Sequence, residues 1–72
     1  MTLVLQNKRN SAFIEGLAGA WTIDREQAHV FLNSLDALSF CFKRRLPNMQ
    51  ILAMFHNPKL NFTVPVTDMA GD

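Results

Sequence analysis

The chain has 72 residues, a single cysteine and a formal net charge of +1. This length predicts one small domain of marginal stability, and one cysteine excludes an internal disulfide. The charge is too small to indicate a general nucleic-acid binder, and the apolar runs are far shorter than the roughly 20 residues of a membrane-spanning helix. No signal-peptide pattern opens the chain, so the expected location is the cytoplasm.

The N-terminal part is predicted to form a strand followed by a short helix. Thr2–Gln6 is rich in leucine and β-branched residues, which favours a strand. After a polar turn, Ser11 can cap a helix over Ala12–Ala20. The apolar residues at helical spacing in and just after this segment are Phe13, Leu17, Ala20 and Trp21.

The organising element of the prediction is a long helix over Asp24–Arg45. Asp24 suits the N-cap, Gln27 stands at the third helical position, and Pro47 forbids continuation of the helix. One apolar stripe at helical spacing is expected to face the core. Its members are Ala28, Phe31, Leu35, Leu38 and Phe42.

The other side of this predicted helix also carries the apolar residues Val30, Ala37 and Cys41, and Phe40 lies off both stripes. Three explanations stay open: burial on two sides within the monomer, self-association, or contact with a foreign partner. Cys41 is interpreted as a small buried hydrophobe, because no base that would activate a catalytic thiol can be identified.

The apolar period changes from helical to two after the long helix. Met49–Phe55 and Leu60–Val66 alternate around a turn, which predicts a β-hairpin, with Pro65 at an edge or a frayed end. Residues 67–72 are predicted to be a flexible tail. The expected fold is α+β in the order β-α-α-β-β, in which two helices pack on a small three-stranded antiparallel sheet, as one domain over residues 1–66.

No catalytic or metal-binding constellation is visible in the sequence. His29 and His56 are far apart, and no Cys/His spacing resembles a zinc site. There is no phosphate-binding glycine loop and no nucleophile elbow. We therefore expect a non-enzymatic protein without a metal or cofactor.

Two groups of residues are candidates for binding. The apolar candidates for a partner surface are Leu3, Leu5, Trp21, Phe40, Leu52 and Met54. The cationic candidates for contact with phosphates or an acidic partner are Lys8, Arg9, Lys43, Arg44 and Arg45. The cations at the end of the long helix can also be ordinary complements of the helix dipole.

The layout of Ser11–Val66 is similar to the core of histone-like HU/IHF proteins: a short helix, a tight join, a long helix and a hairpin. Residues 23–28 and 32–34 resemble the start of that family's second helix. The family's glycine-rich hairpin turn and long basic arm are missing here, so the resemblance does not imply DNA bending.

As a class, short and cysteine-poor chains of this kind also resemble small phage-encoded regulators that bind host RNA polymerase. The expected function is regulation by protein–protein contact, with transcription machinery as the target, through polymerase inhibition or antitermination. One alternative is a DNA-binding regulator that uses Lys8–Arg9 and Lys43–Arg45, and a homodimer is another.

Overall fold

The computed structural model describes residues 1–16 and 19–66. Within these ranges the chain forms one α-helix, α1, and five strands. Their bounds are β1 (Thr2–Asn7), β2 (Phe13–Ile14), β3 (Trp21–Thr22), α1 (Ser34–Arg44), β4 (Met49–Met54) and β5 (Phe62–Pro65). Short 3-10 turns form at Arg25–Gln27 and Pro58–Leu60. The predicted tail at residues 67–72, and residues 17 and 18 of the predicted first helix, lie outside the described residues.

The strands make one antiparallel sheet in the order β3-β2-β1-β4-β5, with β1 in the middle. In the ladders, Leu3 lies opposite Ala53, Leu5 lies opposite Ile51, and Ile51 lies opposite Val64. Directly opposed residues share a face, so these side chains all point to the side on which α1 packs. We call this side the helix face.

An extended segment between the 3-10 turn and α1 continues the sheet beside β1. The His29 N–H donates to the Ile14 carbonyl at 2.7 Å, and the Phe31 N–H donates to the Leu3 carbonyl at 2.8 Å. Because β2 has only two residues, this segment takes over as the partner of the N-terminal half of β1. The chain then turns directly into α1.

Apolar clusters lie on both faces of the sheet. On the helix face, Ala37 and Cys41 of α1 pack against Leu5, Met49 and Ile51. The opposite face carries a smaller cluster, whose buried members are Val4, Phe13, Ala28 and Leu52. Both clusters are needed, because the sheet has apolar residues at successive positions of β1 and β4 and so presents them on two sides.

The prediction of two helices on a three-stranded sheet is wrong. The segment predicted as the first helix instead contributes β2, and the residues that follow it contribute β3. Gly19, at φ 91°, adopts a positive φ that glycine tolerates and that a regular helix does not contain. The helix–helix–hairpin layout that resembles HU/IHF proteins is therefore not found in the described residues. The β4–β5 hairpin does form, and β1 lies beside it.

The long helix is also shorter than predicted. Asp24 caps only a 3-10 turn, where its Oδ1 accepts from the Glu26 N–H at 2.9 Å. The N-cap of α1 is Asn33, whose Oδ1 accepts from the Asp36 N–H at 2.9 Å. The sheet hydrogen bonds of residues 29 and 31 satisfy the backbone in an extended form, and they exclude a helix through this segment.

Within α1, the apolar stripe that was predicted to face the core mostly points outward. Leu35 is 70% exposed and Phe42 is also exposed, whereas Ala37 and Cys41 of the second face are fully buried. Leu38 alone of the stripe residues within α1 packs against the core. Small residues face the sheet because they allow the helix backbone to approach it closely.

Candidate functional site

An apolar groove runs along the helix face between α1 and β5. The helix packs on β1 and β4, so the helix-face side chains of β5 stay uncovered: Phe62 is 46% and Val64 50% exposed. The groove has a volume of ≈ 810 Å³, within the range of roughly 300–1,000 Å³ that is typical of ligand pockets. Its lining residues are Met1, Leu3, Leu32, Asn33, Ser34, Leu38, Phe42, Ile51, Ala53, Phe62, Val64 and Pro65.

The lining of the groove is almost entirely apolar. Its polar side chains, Asn33 and Ser34, lie together at the start of α1, and none of the described lining side chains is charged. Such a lining can bind apolar side chains of a partner.

Local contacts hold the wall formed by β5. The ring of Phe62 packs against that of Phe55 with centroids 5.9 Å apart. The Phe55 N–H donates to Asn61 Oδ1 at 2.7 Å, which ties the end of β4 to the start of β5. These contacts fix the position of Phe62 although its side chain stays half exposed.

The predicted apolar partner residues do not form one surface. Leu3, Leu5 and Leu52 are buried, and Leu52 lies on the face opposite to the other two. Met54 and Phe40 are half-buried against the two different clusters. Trp21 is exposed but belongs to β3, at the far edge of the sheet.

Leu3 is the one member of that predicted set that lines the groove. The residues that sequence reasoning missed are Leu32, Leu38, Phe42, Phe62 and Val64. Two of them, Leu38 and Phe42, had been assigned to the core. A usable signal was present in α1: one face carries the small residues Ala37 and Cys41, and the other carries larger side chains.

The predicted cationic residues lie in the β1–β2 turn and at the C-terminal end of α1, which are close to one another at one end of the sheet. The Lys8 N–H donates to the Asn48 carbonyl at 2.7 Å, which joins the β1–β2 turn to the loop after α1. Asn7 Oδ1 accepts from the Arg9 N–H at 2.8 Å and so shapes the first of these loops. We call the exposed side chains gathered here the basic end. Its members are Lys8, Arg9, Lys43, Arg44 and Arg45.

The cations of the basic end differ in how they are held. The Arg44 guanidinium lies 5.1 Å from the centroid of the Phe40 ring, a cation–π distance. Arg45 ends α1 in the left-handed conformation, and its N–H donates to the Cys41 and Phe42 carbonyls. Arg44 therefore packs against the fold through its contact with Phe40. The backbone of Arg45 is held by hydrogen bonds to the end of α1.

The described residues show no arrangement typical of a catalytic or metal site. Burial raises the pKa of the Cys41 thiol to about 11, so it carries almost no thiolate at neutral pH. His29 packs edge-on against Phe31, with ring centroids 4.8 Å apart. Within residues 1–16 and 19–66, no group of three or more His, Cys, Asp or Glu side chains could hold a metal ion.

The same part of the chain contains no helix with the length and apolar character needed to cross a membrane.

No protein-family model, curated protein or solved structure matches this chain. Function must therefore be argued from the groove and the basic end themselves.

Proposed function

We propose that the chain is a small non-enzymatic regulator that acts by binding another protein through the groove between α1 and β5. The observation that supports this proposal is a continuous run of large apolar side chains left open on one face. Contiguous apolar patches of this kind on small domains mark interaction sites.

The energetics of the groove are suited to a protein segment. Phe42, Phe62, Val64 and Leu32 are all at least 46% exposed. Full burial of a large apolar side chain contributes about 1.5–3 kcal/mol. Because Phe42, Phe62 and Val64 are already about half covered, their further burial contributes only part of this amount each. The four side chains together would offset a share of the association cost of roughly 4–15 kcal/mol, and other contacts of the partner would supply the rest.

We propose that the partner belongs to the transcription machinery, and RNA polymerase is the first candidate to test. The reason is the class resemblance to small phage-encoded regulators, which rests on size, cysteine content and near-neutral charge. Binding would block a polymerase contact sterically or change its conformation, with inhibition or antitermination as the outcome.

The test uses a groove variant and a matched control as baits in a nuclease-treated lysate. Phe62→Ser/Val64→Ser removes two large apolar side chains from the β5 wall of the groove without emptying the core, because both side chains are about half exposed. Ile23→Ser makes the same kind of change at a residue that is 88% exposed and does not line the groove. Thermal unfolding of each bait checks that it is folded.

We expect wild type and Ile23→Ser to recover RNA polymerase subunits and the groove variant to lose them. Recovery of the same subunits by the folded groove variant would show that the groove is not the binding site. Recovery of material that depends on nucleic acid alone would overturn the proposal.

A nucleic-acid-binding regulator is the second candidate, and the joined loops of the basic end favour it. Five of the seven Lys and Arg residues lie there, so the local charge is much more positive than the net charge of +1 implies. Such a protein would bind DNA with an affinity that falls steeply with salt. Binding would be lost in Lys43→Ala/Arg44→Ala/Arg45→Ala and kept in Phe62→Ser/Val64→Ser.

A further inference from the structure

We infer that the groove takes a partner segment whose apolar residues are followed by acidic ones, with the acidic residues lying toward the C-terminal end of α1. This inference rests on the proposed function, and it adds the chemistry of the bound segment and its direction. Three features of the structure support it.

The first feature is that both walls of the groove end at the basic end. The residue Phe31, which bonds to Leu3 near the start of β1, lies just before α1. Asn48, which bonds to Lys8 just past the end of β1, lies just after α1. The helix therefore runs alongside β1 in the same direction.

The strand β5 has this direction too. It is antiparallel to β4, which is in turn antiparallel to β1. Just past β5, the Val66 N–H donates to the Met49 carbonyl at 2.9 Å, next to Asn48. The C-terminal ends of α1 and β5 consequently lie at the same end of the sheet as the β1–β2 turn, which is the basic end.

The second feature is the change of charge along the groove. One end is lined by Leu32, Asn33 and Ser34, which carry no charge, and the other end is reached at Phe42 and Pro65. Exposed Lys43 follows Phe42 directly, and exposed Arg45 closes the helix. A bound segment thus meets uncharged lining side chains at the start of α1 and the cluster of cations at its C-terminal end.

The acid on α1 does not cancel this gradient. Asp36 lies at the start of the helix, away from the basic end, and two residues before Leu38. Since successive helical residues are about 100° apart, Asp36 points to nearly the opposite side of α1 from the groove-lining Leu38. Acidic residues of a partner would therefore not meet this carboxylate.

The third feature is the apolar volume of the groove, which favours a protein segment over a nucleic acid as the occupant. A phosphate backbone could contact the basic end, but it has no apolar side chains with which to fill ≈ 810 Å³ of apolar groove. A protein segment with both apolar and acidic residues satisfies the two surfaces together. Charge at the rim of such an interface sets orientation and association rate more than total affinity.

The experiment selects binders from a library of short random peptides displayed on phage, with the full chain immobilised. Four baits are compared: wild type, the groove variant Phe62→Ser/Val64→Ser, the rim variant Lys43→Gln/Arg45→Gln, and the control Lys59→Gln. Lys59 lies in the β4–β5 connection, which is at the other end of β5 from the cations, so the control removes a cation without changing the rim.

We expect wild type and Lys59→Gln to select peptides with an apolar stretch and with Asp or Glu enriched on one side of it. The rim variant should select the apolar stretch without the acidic enrichment. For one selected peptide, synthesised with its acids and with glutamines in their place, the acids should tighten binding to wild type by about tenfold at low salt. Most of this difference should disappear at high salt, because screening weakens exposed charge pairs.

Each other outcome has a distinct meaning. Apolar peptides without acidic enrichment on wild type would overturn the inference and leave the proposed function standing. Absence of any peptide that depends on Phe62 and Val64 would overturn both. Acidic peptides without apolar residues, bound equally by the groove variant and displaced by DNA, would assign the basic end to a polyanion and overturn the inference.

Discussion

Burial of the Cys41 side chain makes its thiol a poor nucleophile and lets α1 pack closely on the sheet. The thiol is 1% exposed between α1 and the sheet, and desolvation raises its pKa from 9.0 to about 11. A thiol that stays protonated at neutral pH is a poor nucleophile. Cys41 therefore acts as a small apolar residue that lets the helix approach the sheet, as the sequence indicated.

This burial predicts slow thiol chemistry and a loss of stability in alkali. The folded pKa lies above the unfolded one, so the stabilisation is complete below pH 9 and is lost as pH rises from 9 toward 11. The denaturant midpoint of wild type should fall across this window more than that of Cys41→Ala. At pH 8, a disulfide reagent should react with the native thiol at least about 100-fold more slowly than with the unfolded chain. Equal rates would contradict the buried position.

Arg45 occupies a backbone position that favours glycine. It has φ 52° and ψ 48° at the end of α1, a conformation that costs a residue other than glycine roughly 1–2 kcal/mol. We predict that Arg45→Gly raises the free energy of unfolding by about 1 kcal/mol, whereas Arg45→Ala does not.

Denaturant titrations of both variants measure this difference. If Arg45→Gly is more stable yet binds acidic peptides more weakly, the arginine side chain serves binding and not folding. A fall in stability on Arg45→Gly would show that its side chain holds the fold.

At the scale of elements, the caps distinguish the observed helix from the predicted one. Asn33→Ala removes the side-chain acceptor at the start of α1 and should cost about 1 kcal/mol. Asp24→Ala removes a similar bond from a 3-10 turn of three residues, so its cost should be smaller. A long helix from Asp24 would reverse this order, and chemical denaturation of the two variants decides between them.

Local sequence patterns predicted the longer strands correctly and failed for the two-residue strands. β1 follows from its content of leucine and β-branched residues, and the β4–β5 hairpin follows from alternation, with Pro65 as the expected edge residue. The two-residue strands β2 and β3 carry too few residues to show a period of two, while Phe13, Ile14 and Trp21 happen to fit a helical one. Such strands are stable only because their hydrogen bonds join a sheet that already exists, which is a tertiary effect.

The candidate site was predicted only in part for a related reason. The apolar character of residues 35, 38 and 42 was correctly noted, but a helix with apolar residues on two sides does not show which side faces the sheet. The buried side is the one with Ala37 and Cys41, because contact area depends on close approach as well as on side-chain size. The meeting of the two cationic loops depends on a hydrogen bond between residues 8 and 48, which local sequence patterns do not contain.

At the scale of the whole molecule, β5 is an edge strand, and Pro65 leaves its free edge without one hydrogen-bond donor. Successive N–H groups of an antiparallel strand point to alternate sides, and that of Val66 points to β4. The nitrogen of Pro65 therefore faces outward and has no hydrogen to donate. Proline at such an edge position limits pairing with other strands.

We predict that Pro65→Val converts this edge into a site of self-association. The new outward N–H extends the free edge next to exposed Phe62 and Val64, so dimers or larger species should form as concentration rises. Sedimentation velocity over a concentration series measures this. Val64→Thr is the matched control, since the N–H of residue 64 already faces β4.

Wild type should stay monomeric over the same range. A concentration-dependent wild-type dimer that Phe62→Ser/Val64→Ser abolishes would instead support a homodimer with the groove as its seam. No change on Pro65→Val would show that the edge is protected by something other than the proline.

The central position of β1 in the sheet has a consequence for how the chain folds. The strand β1 gains its partner β4 only across a large sequence separation, and the Gln6–Gln50 hydrogen bond joins residues that are 44 apart. Contacts of this range are entropically costly to form and slow the search for the native topology. During synthesis, β1 must therefore wait without its neighbour β4 until more than 40 further residues have been made, and refolding should be slower than for a helical bundle of equal length.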